Sequence, residues 1–515
     1  MGSNSNSNFL RKLEVLNQLI SMGNKNTVID AKIGNLNELT KVLSVKEQAQ
    51  EQLLVVMKAL GIGKIVRNLK FEKTQGYTLT SLFISLLIMR LWGKTIASAT
   101  SNHFHGLCAV SKNTLYRALL NARIDWRMLL TKITLRFHAI LREHQVNTDE
   151  NDTCAILDDT TFQKSGIRIE GVSKVFDHVT HSFIYGMKCL TLALSDGKSC
   201  YPIDFSLHRE KGKKKDYGLT LKQRKEQFKE KRNAKNPDYA RKAECDESKL
   251  EMARRMLCHA VGHGINFKYV LADSWFTCES LIQAVRELCG GSVHYIGLTK
   301  MNPKLRYQTS KTKRPQNIHE LIVRYERTAS CYWRKYKCKY IQLHAKLGEQ
   351  SVRIFIIKYG RSTHWKVLLT TDTSMNFVRA FELYERRWGI EVIFKECRGY
   401  LGLGKCQSRN YNAQIADTTL CFMMYQMLSL AKRFSEYETL GALFRSERDR
   451  LQVLTLWSRT LEEVRHLLEV LSREAGVDLL ACLSTVAARQ MADFSTKVWA
   501  HLLCDSDDYA MPDLD

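Results

Sequence analysis

The spacing of apolar residues changes along the chain, and each change predicts a different kind of structure. Up to about residue 150 the apolar positions recur at helical spacing, as in "LNELTKVLSVKEQAQEQLLVVMKALGI". From Cys154, short apolar runs separated by turn residues predict strands mixed with helices. Further on, runs such as "SVRIFIIKYG" alternate basic or polar residues with apolar ones, which is typical of half-buried strands. From about residue 376 the helical spacing returns.

These patterns predict an α/β core that is interrupted by a β-rich insertion and flanked by helical regions. The apolar strand "YVLA" followed closely by a helix is the βα succession that such a core requires. The predicted parts are a helical N-terminal region (1–75), a second helical region (76–150), two segments of the core (151–290 and 376–435), the insertion (291–375) and a helical C-terminal region with an acidic tail (436–515).

The second helical region contains the segment "SKNTLYRALLNA", which has the features of a DNA-recognition helix. Ser111 is a candidate N-cap, and polar residues that include Lys112 and Arg117 line the first two turns. The second helix of a helix-turn-helix presents its N-terminal residues to DNA in this way. A plain helical bundle with a polar face is the alternative. In the first interpretation, 76–150 is a DNA-binding region in which Lys112 and Arg117 contact DNA.

The charge of the chain favours a polyanionic partner. Lys and Arg number 78 and Asp and Glu number 53, which leaves a net charge of +25. Such an excess is typical of proteins that bind nucleic acid, and an anionic membrane surface is the alternative. No run of 18 apolar residues is present to span a bilayer. The 15 cysteines include no C-x-x-C pair, which favours reduced thiols in the cytoplasm.

Residues 209–242 form one strongly basic segment. The segment holds 14 Lys or Arg and 5 Asp or Glu, so its net charge is 14 minus 5, or +9. It is either a solvated loop or a contact for DNA phosphates. In the second interpretation the lysine run Lys213, Lys214 and Lys215 binds DNA.

Acidic residues stand at the ends of two predicted strands and on a late helix. Asp159 lies in "LDDTTF" at the end of one strand, and Asp273 ends the strand in "YVLADSWF". Glu391 follows much later, on a helix behind the β-rich insertion. Hard divalent ions prefer carboxylate oxygens. Three such acids that meet in the fold could therefore hold two Mg²⁺ ions for phosphoryl transfer.

The stretch "YERRWGIEVIFKECRGYLGLGKCQSRN" places a carboxylate among cations on one helical face. At about 100° per residue, one narrow stripe contains Tyr384, Arg387, Glu391, Lys395 and Arg398. A salt-bridged surface face is the ordinary explanation of such a stripe. The acids at the two strand ends give it a second explanation, in which a metal ligand lies beside groups that bind DNA.

Taken together, "LDDTTF", "YVLADSWF" and the stripe make the chain resemble the DDE transposases of bacterial insertion sequences. The resemblance is to the insertion-sequence-four group and covers about residues 80–410. The signature of that group is Tyr, two residues, Arg, three residues, Glu, six residues and Lys. Tyr384, Arg387 and Glu391 fit it, whereas Arg398 stands in place of the lysine. The resemblance implies a ribonuclease-H-like core with a β-rich insertion.

The resemblance also implies roles for the acids. Asp159, Asp273 and Glu391 would be the catalytic metal ligands for Mg²⁺, for which Mn²⁺ can substitute. Asp158 competes with Asp159 for the first position, and only one can face the site because successive strand residues point to opposite faces. The Asp-Thr-Thr motif of the family favours Asp159 as the first metal ligand.

The remaining candidates are DNA contacts. The phosphates of the terminal nucleotides would be bound by Tyr384, Arg387 and Arg398. Lys395 lies on the same stripe and is a further candidate. Trp275 would stack on a displaced base, or else it is an ordinary core tryptophan.

The implied function is cut-and-paste DNA transposition, through two-metal strand cleavage, hairpin ends and strand transfer. The partners would be double-stranded DNA, both element ends and target, and a second copy of the chain in a homodimeric synaptic complex. The implied place of action is the cytoplasm of a bacterium, on the nucleoid and away from membranes. The alternatives are a metal-dependent nuclease without strand transfer and a DNA-binding protein without activity on the same scaffold.

Overall fold

The computed structural model describes residues 51–69, 77–93, 95–99, 110–146, 152–177, 180–210, 217–301, 305–311, 314–360, 362 and 364–449. Most of the predicted N-terminal region, the acidic tail and the run Lys213, Lys214 and Lys215 lie outside the described residues. The chain forms two compact units, 1–55 and 56–515. The described part contains no helix that is long and apolar enough to cross a membrane.

Helices come first along the described chain, and short polar side chains start several of them. They are α1 (Glu51–Ala59), α2 (Ile62–Arg67), α3 (Leu79–Trp92), α4 (Ile96–Ala99), α5 (Lys112–Leu119) and α6 (Trp126–Glu143). The Ser111 side chain accepts a hydrogen bond from the backbone N–H of Thr114 and so caps α5, as predicted. Asp125 caps α6 in the same way through Met128.

The strands of the second unit form one large mixed sheet. They are β1 (Cys154–Gln163), β2 (Ser173–Asp177), β3 (Ser182–Ser195), β4 (Cys200–His208), β5 (Tyr269–Ala272), β6 (His294–Thr299), β7 (Gln308–Thr309), β8 (Ser330–Trp333), β9 (Cys338–Leu347), β10 (Gln350–Tyr359) and β11 (Trp365–Thr370). At one end β3 pairs antiparallel with β1, β2 and β4. Next to β1, β5 and then β6 pair in parallel.

The strands of the predicted insertion continue this sheet. β11 pairs antiparallel with β6, and β10, β9 and β7 follow in order, while β8 pairs with β9. Strands therefore occupy much of 291–375, but Ile318–Tyr325, whose apolar run also suggested a strand, is a helix, and β6 is a parallel neighbour of β5. The pattern of apolar residues shows that β6 is a strand and does not show which strand it pairs with.

Helices between and after the strands cover the sheet. They are α7 (Leu221–Glu226), α8 (Pro237–Glu244), α9 (Lys249–Gly262), α10 (Glu279–Glu287), α11 (Ile318–Tyr325), α12 (Phe377–Glu385), α13 (Trp388–Tyr400) and α14 (Tyr411–Arg433), with a short 3₁₀ segment at Leu288–Gly291. Of these, α14 is buried from Tyr411 to Ala431 and packs on α3, α6 and β4. The core of the second unit lies around this helix.

The helix predicted to carry the whole stripe is two helices, α12 and α13. The backbone N–H of Arg387 donates to Tyr384 O at 3.0 Å and that of Gly389 to Arg386 O at 3.0 Å, so the turn between them tightens to i→i−3 bonding. Arg386 also donates to Asp152 O at 2.8 Å, which ties this turn to the residues before β1. Because Arg386 and Arg387 keep right-handed helical dihedrals, the stripe still runs across the break.

Candidate active site

A cleft opens where β5 ends beside the longer β1. The parallel register pairs Leu157 with Ala272, the last residue of β5, so Asp158 and Asp273 each follow a paired residue at the same edge. Sites in α/β sheets lie at the carboxyl ends of parallel strands. The cleft has a volume of about 530 Å³ and is lined by Asp158, Asp159, Thr160, Glu391, Phe394, Lys395 and Arg398.

Asp158 and Glu391 share one guanidinium. Arg387 donates from Nη1 to Asp158 Oδ2 at 3.0 Å and from Nη2 to Glu391 Oε1 at 2.6 Å. Arg387 and Asp158 are mostly buried, and Glu391 is about one third exposed. The ion pair therefore brings the middle of β1, which runs on to Gln163 instead of ending at the predicted Asp159, and the first turn of α13 together in one charged cluster.

Asp158 has a strongly shifted pKa. Burial raises the pKa of its carboxyl to about 7, the backbone N–H of Asp159 and the Arg387 guanidinium lower it, and the charges of Asp273 and Asp159 raise it. The influence of Asp273 on this pKa agrees with its place beside Asp158 at the sheet edge. A carboxyl whose pKa is moved by burial and by specific charges within a cleft is typical of a functional site.

Asp159 also lines the cleft, but it bonds to a different cation. Its Oδ2 accepts a hydrogen bond from Lys249 Nζ at 3.1 Å, and Lys249 is the first residue of α9. Because strand residues alternate between the two faces of a sheet, Asp158 lies on the face of α13 and Asp159 on the face of α9. The sequence motif of the family favours Asp159 as the first metal ligand, but in the structure Asp158 is the aspartate beside Glu391.

The oxygen donors at this edge fit a hard divalent ion by their chemistry, since Asp158, Asp273 and Glu391 all offer carboxylates. Within the part of the chain that the structure describes, no three His, Cys, Asp or Glu side chains stand together as a metal centre. At this cleft the Arg387 guanidinium lies between Asp158 and Glu391. A cation shared by those two carboxylates must therefore displace Arg387.

The other residues of the stripe take different positions. Arg398 donates from Nη2 to Thr160 Oγ1 and, at 3.0 Å, to Thr161 O, and it lines the cleft together with Lys395. Tyr384 lies behind Arg387, and burial raises the pKa of its hydroxyl to about 12. The structure thus brings Arg387, Lys395 and Arg398 to the cleft and leaves Tyr384 largely inside.

Trp275 lies on the surface next to Asp273. Its indole side chain is 42% exposed, so it is not a core tryptophan. Its backbone N–H donates to Asp273 Oδ1 at 2.9 Å. The Lys249 ammonium lies 4.0 Å from the centre of its ring. Lys249 was not predicted from the sequence, because its contact with Asp159 joins residues 90 positions apart and no local spacing signals it.

The candidate recognition helix stands apart from the cleft. Lys112 and Arg117 on α5 are exposed, and neither lines the cleft. Leu115, Ala118 and Leu119 form the buried face of this helix. Exposed polar residues over a buried apolar face are compatible both with DNA recognition and with the plain bundle.

The mixed α/β unit, with its carboxylate cleft where β5 ends, is consistent with the class of nuclease cores. Within that class, a DDE superfamily endonuclease model matches residues 83–318, and a transposase DDE domain model matches residues 243–427. The two matches support a DDE transposase or DDE-type endonuclease, whose domains act on DNA and generally use divalent metals. The first match contains Asp158 and Asp273, and the second contains Asp273 and Glu391. No curated protein matches the chain.

Proposed function

We propose that the protein is a transposase of the insertion-sequence-four group that moves a DNA element by cut-and-paste transposition. The observation that carries the proposal is the shared guanidinium, which joins Asp158 to Glu391 at the edge where Asp273 follows β5. Asp158, Asp273 and Glu391 are the proposed ligands of Mg²⁺ or Mn²⁺. When bound, such ions stabilise the charge of phosphoryl transfer and activate the attacking water or hydroxyl.

The strand order supports a ribonuclease-H-like core. β4, β3 and β1 are antiparallel neighbours, and β1, β5 and β6 are parallel neighbours. In this proposal the core includes β6, and the insertion begins after it. The signature residues Tyr384, Arg387 and Glu391 then follow the insertion at the turn between α12 and α13.

The residues around the acids position the DNA. Arg387, once released from Asp158 and Glu391, can give a bidentate contact to a phosphate. Arg398 and Lys395 line the same cleft and add positive charge on the α13 side. Arg398 keeps the charge of the family lysine and offers a planar fork instead of an ammonium. These cations hold a DNA strand against the carboxylates. The freed 3′ end stays bound there and then attacks target DNA. The protein acts as a homodimer on the bacterial nucleoid.

The experiment uses the DNA that flanks the coding region as a labelled substrate. With Mg²⁺, the wild-type protein should cleave at the element ends, form hairpin ends and join the freed 3′ end to a target plasmid. Glu391→Gln keeps the shape of the side chain and removes the charge that the ion needs. It should abolish cleavage and leave binding to the ends intact. Cleavage without any joining by the wild-type protein would indicate a nuclease and overturn the transposase proposal.

A further inference from the structure

We infer that Lys249 is a phosphate-binding residue of the DNA site and that Asp159 is the positioning residue that holds its ammonium against Trp275. The inference rests on the proposed function, because it concerns the same cleft. It gives the second aspartate of "LDDTTF" a role other than metal binding. The ligand of the new subsite is a DNA phosphodiester together with the base attached to it.

The three side chains form a compact unit from three elements. Asp159 comes from β1, Lys249 from the first turn of α9, and Trp275 from the residues after β5. Lys249 Nζ lies 3.1 Å from Asp159 Oδ2 and 4.0 Å from the centre of the Trp275 ring. The Lys249 and Asp159 side chains are 16% and 20% exposed, so the pair is partly shielded from water and from salt.

The unit is open toward a ligand. An ammonium has three hydrogen-bond donors, and Asp159 is the one acceptor for Lys249 among the described residues. Trp275 is 42% exposed although tryptophan is usually well buried. Phe276 contacts this ring edge-on, with the ring centroids 4.8 Å apart. A partly exposed ring with a cation near its face can stack on a base while the cation contacts the adjoining phosphate.

The unit lies opposite the cations of α13. Arg398 and Lys395 line the cleft from the face of Glu391, whereas Lys249 reaches its edge from the face of α9 through Asp159. A DNA strand lying across Asp158 and Asp159, in the middle of β1, therefore meets positive groups from both sides. In this arrangement the Asp159 carboxylate offsets the charge of Lys249 and fixes its position, and Asp158 remains the metal ligand on β1.

A second lysine on the same face shows what a structural lysine looks like here. Lys188 Nζ donates to Thr161 Oγ1 at 2.8 Å and to Phe176 O at 3.2 Å, so it joins β1 to β2. Lys249 has no such backbone partner among the described residues and lies over an exposed ring instead. This contrast supports a ligand-binding role for Lys249 instead of a structural one.

The test compares Lys249→Met with Lys268→Met in DNA binding. Methionine keeps most of the aliphatic stem and removes the charge. Lys268 is exposed, lies 5.7 Å from the ring of Tyr269 and stands at the amino end of β5, away from the cleft. Binding to labelled end DNA is measured over a range of salt concentrations in EDTA. Lys249→Met should lower the log–log salt slope by about 0.9, which is the loss of one phosphate contact, and Lys268→Met should leave it unchanged.

The positioning role of Asp159 needs its own readout. The emission of Trp275, taken as the difference between each protein and its Trp275→Phe counterpart, and its quenching by acrylamide report the ring environment. Asp159→Leu should change both in the same way as Lys249→Met, and Asp159→Asn, which keeps an acceptor, should change them less. A melting curve for each variant identifies any that fail to fold.

Two results would overturn this inference. One is an unchanged salt slope of DNA binding in a folded Lys249→Met variant. The other is Trp275 emission and quenching that are the same in Asp159→Leu as in the wild type. Neither result touches the proposed function, because both measurements are made without a divalent ion and without cleavage. Conversely, a wild-type protein that binds DNA with the expected slope change but never cleaves would leave the phosphate site standing and remove the transposase.

Discussion

At the scale of single residues, two neighbouring aspartates on β1 have different partners and so should respond differently to the same change. Asp158 bonds to Arg387 beside Glu391, and Asp159 bonds to Lys249. Asp158→Asn should abolish strand cleavage with Mg²⁺, because the ion loses a charged oxygen ligand. Asp159→Asn should reduce cleavage by about tenfold, the usual effect of losing a supporting contact. Cleavage assays of both variants decide between them, and the reverse order of effects would return the metal site to Asp159.

Arg387 competes with a metal for the same carboxylates. Arg387→Gln should therefore raise the affinity for Mn²⁺ in the absence of DNA, by roughly tenfold or about 1.4 kcal/mol, since no guanidinium must then be displaced. The measurement is Mn²⁺ binding followed by electron paramagnetic resonance. Arg398→Gln is the matched control, because Arg398 bonds to Thr160 and Thr161 rather than to a carboxylate. Equal Mn²⁺ affinity in the wild type and in Arg387→Gln would show that the Arg387 guanidinium does not compete with the metal ion for Asp158 and Glu391.

At the scale of elements, α6 and β4 meet through a histidine that the fold keeps neutral. His138 Nε2 lies 2.7 Å from the Tyr201 hydroxyl, and burial lowers the pKa of His138 from 6.5 to about 4, with Arg142 lowering it further and Asp196 raising it. Between those pKa values the unfolded chain binds more protons than the folded one. Stability is therefore full above pH 6.5 and is lost as the pH falls toward 4.

The size of that loss can be measured by unfolding in urea at two pH values. His138 alone should cost about 2 kcal/mol of unfolding free energy between pH 7 and pH 5. His138→Gln removes the titrating group, so its own loss over this range should be smaller by about that amount. An identical pH dependence in the variant would mean that His138 is not kept neutral by the fold.

A buried lysine fixes the loop that follows α13. Lys164, the residue after β1, donates to Gly404 O at 2.9 Å, Cys406 O at 2.7 Å and Gln414 Oε1 at 2.8 Å. Lys164→Met removes this donor from all three acceptors, of which Cys406 O keeps a bond from Gln414 Nε2 at 3.1 Å. We expect a loss of about 3 kcal/mol in unfolding free energy. Arg254→Met is a control, because the ion pair of Arg254 with Glu251 is exposed and should contribute little. Equal losses in the two variants would contradict the anchoring role.

Most elements and the acids could be predicted from local pattern, and their partners could not; the helix at Ile318–Tyr325 was expected to be a strand. The end of β5 at Ala272, the cap at Ser111 and the candidate acids follow from spacing and residue type. The break between Glu385 and Trp388 could not be predicted from local spacing, and Arg386 at this break bonds to Asp152, which lies far away in sequence. The choice between Asp158 and Asp159 depends on which face of β1 receives α13, and that is decided by packing.

At the scale of the whole molecule, the charge of +25 predicts DNA binding that weakens steeply with salt. The described part of the segment 209–242 carries exposed lysines at 222, 225, 229 and 231. Replacing these four by glutamine should lower the log–log slope by about 0.9 for each phosphate contact that is lost. Fluorescence anisotropy with duplex DNA at several salt concentrations gives the slope. If the slope does not change, these lysines only keep the segment hydrated.

The continuous sheet also fixes the distance between groups attached to different strands. From β5, which leads to Asp273, the order runs through β6, β11 and β10 to β9. These four steps of about 4.8 Å make an offset of about 19 Å. Along B-form DNA at 3.4 Å per base pair, that offset corresponds to about six base pairs. A group attached to β9 is thus held at a set distance from the strand that leads to Asp273. In the proposed function, a change in the number of strands between them would change which base pair that group meets.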